Sequence, residues 1–470
     1  MNLDRRSLAP WAGFGVCLAC FLLIKRTDMV FCSGDENLYF YYGKLVSEGK
    51  LPYRDFFFAH QPLQLYVYAL LFKLFGFRFL VLKWVSAACA SLTALSLFLS
   101  MKKEFRPAHG VLASALFLFS HNILHVSTYN LGLELCLCLF AFSCLLLQRG
   151  RPFAAGLVMG LSLLTRLHPA ILVLALGAFL LRRDRRTGLR FALGTTLMFG
   201  AGELALLASA GGAFYADVFA YHARLRGISD AWARKLAVLS EAAKHDILPL
   251  FFAVGSLFSS ERRRLALPAA LSGVYLAFLL CTKGVFNYYL MMLMPALSAM
   301  AACALMDSAK DMGRLRKAAF LSFAVILSIF SHYREYKDSV AAYEVRRIDN
   351  AVSFITASSK PEDTLFGDDY STPLIALLSG RRVALDMADT NPNRFQSGFT
   401  DIRELTQALG RARPAFMIFH HIGNYSSLWD FPEMREFVQT RWCAPGAVPG
   451  FMHFEGGAQH LYIYRCVPLR

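Results

Sequence analysis

The chain has 470 residues, of which 56% are hydrophobic and only 17% are charged, with a formal net charge of +16. So little charge on a chain of this length excludes an ordinary soluble globular protein, and the apolar residues come in long blocks of the kind that cross membranes. The basic excess sits in short clusters between those blocks, and no nucleic-acid-binding motif accompanies it, so a nucleic-acid partner is excluded as well.

In chain order, the apolar blocks predict about eleven membrane spans: 8–30, 79–101, 107–124, 134–148, 152–168, 169–181, 191–210, 247–260, 266–282, 287–306 and 318–333. The first block follows Arg5 and Arg6 but lacks a small-x-small cleavage site, which reads as an uncleaved span. The segment 62–76, "PLQLYVYALLFKLFG", contains Lys73 and is short for a span, so an interfacial helix is expected there. With the N-terminus cytoplasmic and 62–76 not crossing, six segments carrying nineteen bases fall on the cytoplasmic side, from Arg5–Arg6 to Lys310, Arg314, Arg316 and Lys317. The short loops opposite carry only Arg166 and Lys283, the asymmetry that the positive-inside rule requires. This places 31–78 as a long outer loop with two surface-lying helices, 211–246 as a second outer loop, and the C-terminus outside.

Beyond about residue 334 the texture changes to short strand-like and helix-like runs with turn signals, among them "AFMIFHHI" and "HLYIYRCV". The expected architecture is thus a polytopic α-helical membrane domain, residues 1–333, followed by a small extracytoplasmic α/β domain, residues 334–470. Of the eleven cysteines, most lie in apolar blocks as small buried hydrophobes. Cys443 and Cys466 lie in the polar C-terminal region, where an oxidising compartment leaves a bridge between them open. No metal-ligand spacing occurs; His420 and His421 are adjacent on a strand and point to opposite faces. No obligatory cofactor is expected, and a divalent metal is unsupported.

Charges at a membrane edge are costly and therefore functional suspects. Asp35 and Glu36 follow the first span, where a solvated pair capping the next helix is the plain alternative. Glu134 opens the fourth span on the same side, and Arg166 and Lys283 end apolar blocks there, as snorkelling anchors or as part of a site. Acids and bases together at a lipid interface suit a lipid phosphate carrying a sugar. The phosphate takes Arg or Lys, and the acceptor hydroxyl needs a carboxylate for its proton.

The stretch "GDENLYFYYGKLVSEGKLPYRDFFFAHQPLQLYVYALLFKLFG", Gly34–Gly76, resembles the first outer loop of the GT-C glycosyltransferases. The resemblance is to the branch of protein O-mannosyltransferases, aminoarabinose transferases and Rgt-type sugar transferases. "GLSLLTRLHPA" and "NYYLMMLMP" resemble two further segments of that family. The resemblance implies inverting transfer of a sugar from a polyprenyl-phosphate carrier to an envelope glycan, lipid or protein acceptor on the outer face of a bacterial inner membrane. It implies Asp35 as base with Glu36 as its neighbour. It assigns acceptor or sugar contacts to Glu134, Asn287 and Tyr288; Tyr39 can line a sugar face or sit in the interfacial aromatic belt, and Asp55 is a spare carboxylate or a structural residue of a turn. It places Arg166 and Lys283 at the departing phosphate, with His60, Arg54 or Lys50 standing in for a basic residue that the family carries where this chain has Gln61, or the donor held in another way. Two other readings stay open, a lipid-linked-sugar flippase and an inactive binding subunit. No paired halves favour the first, and the intact Asp35–Glu36 pair argues against the second.

Overall fold

The computed structural model describes residues 5–32, 34–225, 232–282, 284–344, 348–422, 427–442, 450–456 and 459–465. Lys283, Cys443 and Cys466 lie outside the described residues. The chain forms two compact units.

The first unit comprises 1–29, 83–204 and 229–339 and is helical. It holds α1 (Arg5–Thr27), most of α4 (Phe79–Glu104), α5 (Pro107–Leu118), α6 (His121–Val126), α7 (Leu133–Gln148), α8 (Pro152–Leu163), α9 (Ala170–Arg183) and most of α10 (Arg185–Ala210). After 229 come α13 (Trp232–His245), α14 (Ile247–Gly255), α15 (Arg262–Cys281), α16 (Met294–Ser308), α17 (Arg314–Phe330) and the start of α18 (Tyr333–Tyr343). Helix thus occurs at every block that the sequence marks as apolar. Among the described residues five helices are long and apolar enough to cross a membrane: Leu8–Thr27, Phe79–Glu104, Arg185–Ala210, Arg262–Cys281 and Arg314–Ala341. Others are shorter, because glycine and proline divide the blocks: Gly132 turns with φ 80 ahead of α7, and Pro152 opens α8. The block at 287–306 begins as a 3-10 turn, Asn287–Met292, before α16.

The 211–246 stretch, read as a loop, contains α13. Its amphipathic sequence is held by Lys235, which is buried and donates to the carbonyls of Leu280 (3.3 Å) and Thr282. Helix–helix packing here is close. Ala155, Met159 and Leu163 of α8 form a buried cluster with Val173 and Leu176 of α9 and Phe191 of α10.

The second unit comprises 30–82, 205–228 and 340–470. Its first stretch carries α2 (Asp35–Ser47) and α3 (Leu63–Phe75), packed on each other. Thirteen residues make α3 about 20 Å long, short of the ~30 Å apolar thickness of a bilayer. Its second stretch carries two one-turn helices, α11 (Gly212–Tyr215) and α12 (Tyr221–Arg224), about a π-helical turn. The third holds α19 (Ile348–Ser358), β1 (Thr364–Gly367), α20 (Thr372–Ser379), β2 (Arg382–Val383), α21 (Pro392–Gln396), α22 (Ile402–Ala412), β3 (Phe416–Ile422), α23 (Pro432–Glu436), β4 (Gly450–Gly456) and β5 (Gln459–Arg465).

These strands make one mixed sheet in the order β2-β1-β3-β5-β4, parallel from β2 to β3 and antiparallel from β3 to β4. Phe366, Met417 and Phe419 of the sheet bury against Leu405 and Leu409 of α22 and Met434 of α23. Asp401 caps α22, its carboxylate accepting from Arg403 N at 2.8 Å. At the end of β1, Gly367 has φ 158, and a Cβ there would lie 1.7 Å from the carbonyl oxygen of Ile418 on β3. Only glycine lets the chain pass so close before turning through Asp368, Asp369 and Tyr370.

Candidate active site

The structure distributes the suspected residues between the two units. Asp35, Glu36, Tyr39, Arg54, Asp55 and His60 belong to the second, and Glu134, Arg166, Asn287 and Tyr288 to the first.

In the second unit Asp35 and Glu36 form the first turn of α2, where the helix dipole favours negative charge. Asp35 is half-buried and Glu36 buried. The rest of this helix, "NLYFYYG", is buried although half of it is polar, so its polar atoms need partners inside the protein. The third stretch of the unit supplies them. Gly34 N donates to the carbonyl of Tyr370 (3.3 Å), and Asn37 Nδ2 donates to the same oxygen (2.7 Å) and to that of Cys32 (2.8 Å). The hydroxyls of Tyr41 and Tyr42 accept from Val383 N (2.8 Å) and Asp389 N (3.0 Å). The turn after β1 and the segment after β2 are thereby fastened to the helix that carries Asp35.

Two more carboxyls come with them. Burial pushes Asp369 well above the usual carboxylate range, and the charges of Asp389, Asp35 and Asp368 add to it. Burial also raises Asp389, against the opposing charge of Arg394. Arg394 donates to the carbonyl of Asp389 (2.6 Å) and to Thr400 Oγ1 (3.1 Å), with its guanidinium 4.0 Å from the ring centre of Phe57.

Tyr39 lies beside Phe58 and His60, at ring-centre distances of 5.9 and 6.4 Å. His60 in turn stacks on His222 at 5.8 Å, and Tyr53 donates its hydroxyl proton to the carbonyl of His60 (2.7 Å). His222 Nε2 sits 2.9 Å from the carbonyl of Ala59, and the Asp217 carboxylate accepts from Phe58 N at 3.1 Å. Burial lifts Asp217 to about 7 in spite of that bond. Arg54 and Asp55 pair with each other at 2.9 Å in an exposed turn, and Asp55 also accepts from Leu51 N (2.7 Å). The Arg54 bond holds Asp55 below its ordinary value.

In the first unit Glu134 is buried in the first turn of α7. Arg166, also buried, donates through Nε (3.1 Å) and Nη2 to the carbonyl of Leu131, on the turn that leads into Glu134. Asn287 accepts from Asn122 Nδ2 at its carbonyl (2.9 Å) and from Tyr288 N at its Oδ1 (2.9 Å). Tyr288 stacks flat on Phe286 at 5.2 Å, and its neighbour Tyr289 lies 4.1 Å from the ring of His168.

Sequence reasoning missed several buried groups here. Lys25, 0% exposed, donates to the carbonyl of Leu124 (2.6 Å), to Thr128 Oγ1 (2.5 Å) and to Tyr336 Oη (2.8 Å). Asp28 takes bonds from Tyr336 and Lys337. Lys83 donates to the carbonyl of Thr128 (2.7 Å). Three buried cations thus grip the backbone of 124–131. His121 stands among His245, His332 and His125, with ring centres 4.2, 5.4 and 6.0 Å away. These residues come from well-separated stretches, and a lysine ending an apolar run reads as an ordinary flank. Among the described residues no group of three or more His, Cys, Asp or Glu is arranged to hold a metal ion.

Comparison with known proteins adds to this geometry. Residues 59–209 match the family model of dolichyl-phosphate-mannose-protein mannosyltransferases. GPI mannosyltransferase 1 of Saccharomyces cerevisiae is 24% identical over 202 residues, 43% of this chain and 48% of that protein. The match therefore spans about half the length of this curated relative. ArnT from Cupriavidus metallidurans is similar in fold. Its apo structure superposes with a TM-score of 0.68 at 14% identity, over 97% of this chain and 98% of that one. Its structure bound to undecaprenyl phosphate gives 0.64 at 13% identity, over 95% and 97%. The chain is thus similar in fold to ArnT over nearly its whole length, and residues 59–209 match a mannosyltransferase family model.

Proposed function

We propose that the protein is a multi-pass membrane glycosyltransferase that moves a sugar from a polyprenyl-phosphate carrier to a glycan, lipid or protein acceptor, with inversion. Asp35 takes the proton of the acceptor hydroxyl as that oxygen attacks the anomeric carbon. The bond to the phosphate breaks on the opposite face, and its electron pair leaves with the phosphate. Arg166 and Lys283 stabilise the charge that develops there, and His60 and Arg54 add positive charge near the donor. Glu36 orients its neighbour, while Glu134, Tyr39, Asn287 and Tyr288 contact the sugar or the acceptor, with Asp55 in reserve. Most of the rate gain comes from holding two membrane-bound reactants in line.

The observation that carries this reading is the acidic pair at the head of a buried aromatic helix, in a chain with the fold of ArnT. ArnT binds undecaprenyl phosphate, which supports a carrier of that class. The proposed topology keeps the N-terminus cytoplasmic, with loop 31–78 and the α/β region 334–470 both outside. Residues 30–82 and 340–470 share one compact unit, which agrees with placing them on the same side.

Mass spectrometry of envelope glycolipids and glycoproteins from a strain lacking the gene identifies the product. Re-expressed Asp35→Asn should reach normal membrane abundance and make about a hundredth of that product or less. Normal product from Asp35→Asn would overturn the reading.

A further inference from the structure

Asp35 is one of several carboxyls at the head of α2. Asp369, 4% exposed, follows Asp368 in the turn whose Tyr370 carbonyl receives both Gly34 N and Asn37 Nδ2. Asp389 is fixed close by through the bond from its amide to Tyr42. Arg394 offsets Asp389 and Asp217, whereas Asp369 is raised first by burial and then by the charges of Asp389, Asp35 and Asp368. Tyr221 faces the same acids, and both it and Tyr42 are raised chiefly by burial, so neither supplies a compensating charge. Burial and like charges both favour the protonated form of a carboxyl.

A separate observation points the same way. Asn37, 0% exposed, spends its amide hydrogens on Cys32 and Tyr370, and its Oδ1 has no hydrogen-bond donor. A buried acceptor without a donor costs stability, and it stands at the spot where carboxyls crowd. An O–H in this group, from a protonated carboxyl or from a bound acceptor hydroxyl, would relieve it.

We propose that Asp369 is the positioning partner of Asp35: it carries the proton of this carboxyl group and donates it to Asp35, which stays ionised and presents its other oxygen to the acceptor hydroxyl. The inference rests on the reading of Asp35 as the base. In the transfer step the acceptor proton moves to Asp35, the new C–O bond forms, the C–O bond to phosphate breaks, and the proton of Asp369 stays where it is. A carboxylate crowded by other carboxylates would otherwise pick up a proton from water and lose its basic form.

Infrared spectroscopy of the full chain in detergent reads this proton without any substrate. At pH 7 the wild type shows a protonated-carboxyl stretch, one component of which disappears in Asp369→Asn and shifts in Asp35→Asn. Absence of that component in the wild type, or its survival in Asp369→Asn, overturns the proposal. The second measurement is the cellular product described above. Asp369→Ala is expected to lower it about a hundredfold, and Asp369→Asn, whose amide still donates, about tenfold at most. Equal losses in both variants at equal membrane abundance mark a merely structural role and also overturn it. Absence of any product that depends on the wild-type gene defeats the glycosyltransferase reading instead, and the infrared result still decides where the proton resides.

Discussion

Helices α8 and α10 meet at glycines, and that contact gives a sharp test of the packing. A Cβ built on Gly194 would lie 2.3 Å from the carbonyl oxygen of Phe153 and 3.1 Å from Gly156 Cα. One built on Gly156 would lie 2.2 Å from the carbonyl oxygen of Phe191. An ordinary carbon–oxygen contact needs about 3.3 Å, so Gly194→Ala must push the helices apart by about 1 Å. That gap weakens the buried cluster of Met159, Leu163 and Phe191. Overpacking of this kind costs about 3 kcal/mol, and the better helix propensity of alanine returns about 1, leaving a net loss of about 2 kcal/mol. Gly200, six residues along the same helix, has nothing within 4 Å of its Cβ position, so Gly200→Ala keeps the gain and pays no clash. Reversible unfolding by denaturing detergent should separate the two variants by about 3 kcal/mol. Values within about 0.5 kcal/mol of each other would refute this account of the helix crossing.

Two further outcomes follow from buried charge. Asp217 stands at about 7 in the folded protein against an unfolded value near 3.9, so the folded state binds the extra proton. Its contribution to stability is full below about pH 4 and is lost as pH rises through about 7. Asp217→Asn should therefore gain on the wild type in melting temperature from pH 4 to pH 8, and a difference that does not change with pH refutes it. Lys25→Met strips a donor from Leu124, Thr128 and Tyr336 and should cost about 3–5 kcal/mol in the same unfolding assay, whereas an equally stable variant would show that this network is not stabilising.

The sequence made the helices legible because long apolar blocks have few alternatives. "FLVLKWVSAACASLTALSLFLS" sits within a 26-residue helix, and "AFMIFHHI" and "HLYIYRCV" overlap β3 and β5. The acidic head of α2 was legible too, since an Asp-Glu pair ahead of an aromatic run starts a helix. What surrounds that head was not. Asp369 and Asp389 lie more than 330 residues further on, among turn signals, and bonds to residues such as Gly34, Asn37, Tyr41 and Tyr42 bring them to α2. For Asp55 the sequence also offers a structural role in a turn, and there it pairs with Arg54.

Tyr41 and Tyr42 are synthesised 342 and 347 residues before the amides that bond to them. A nascent chain can therefore insert its helices long before the loop bearing Asp35 finds its complement. Its helix α2 stays without these partners until β2 and the segment after it have been made, and a polypeptide released before them would leave the two tyrosine hydroxyls unmatched.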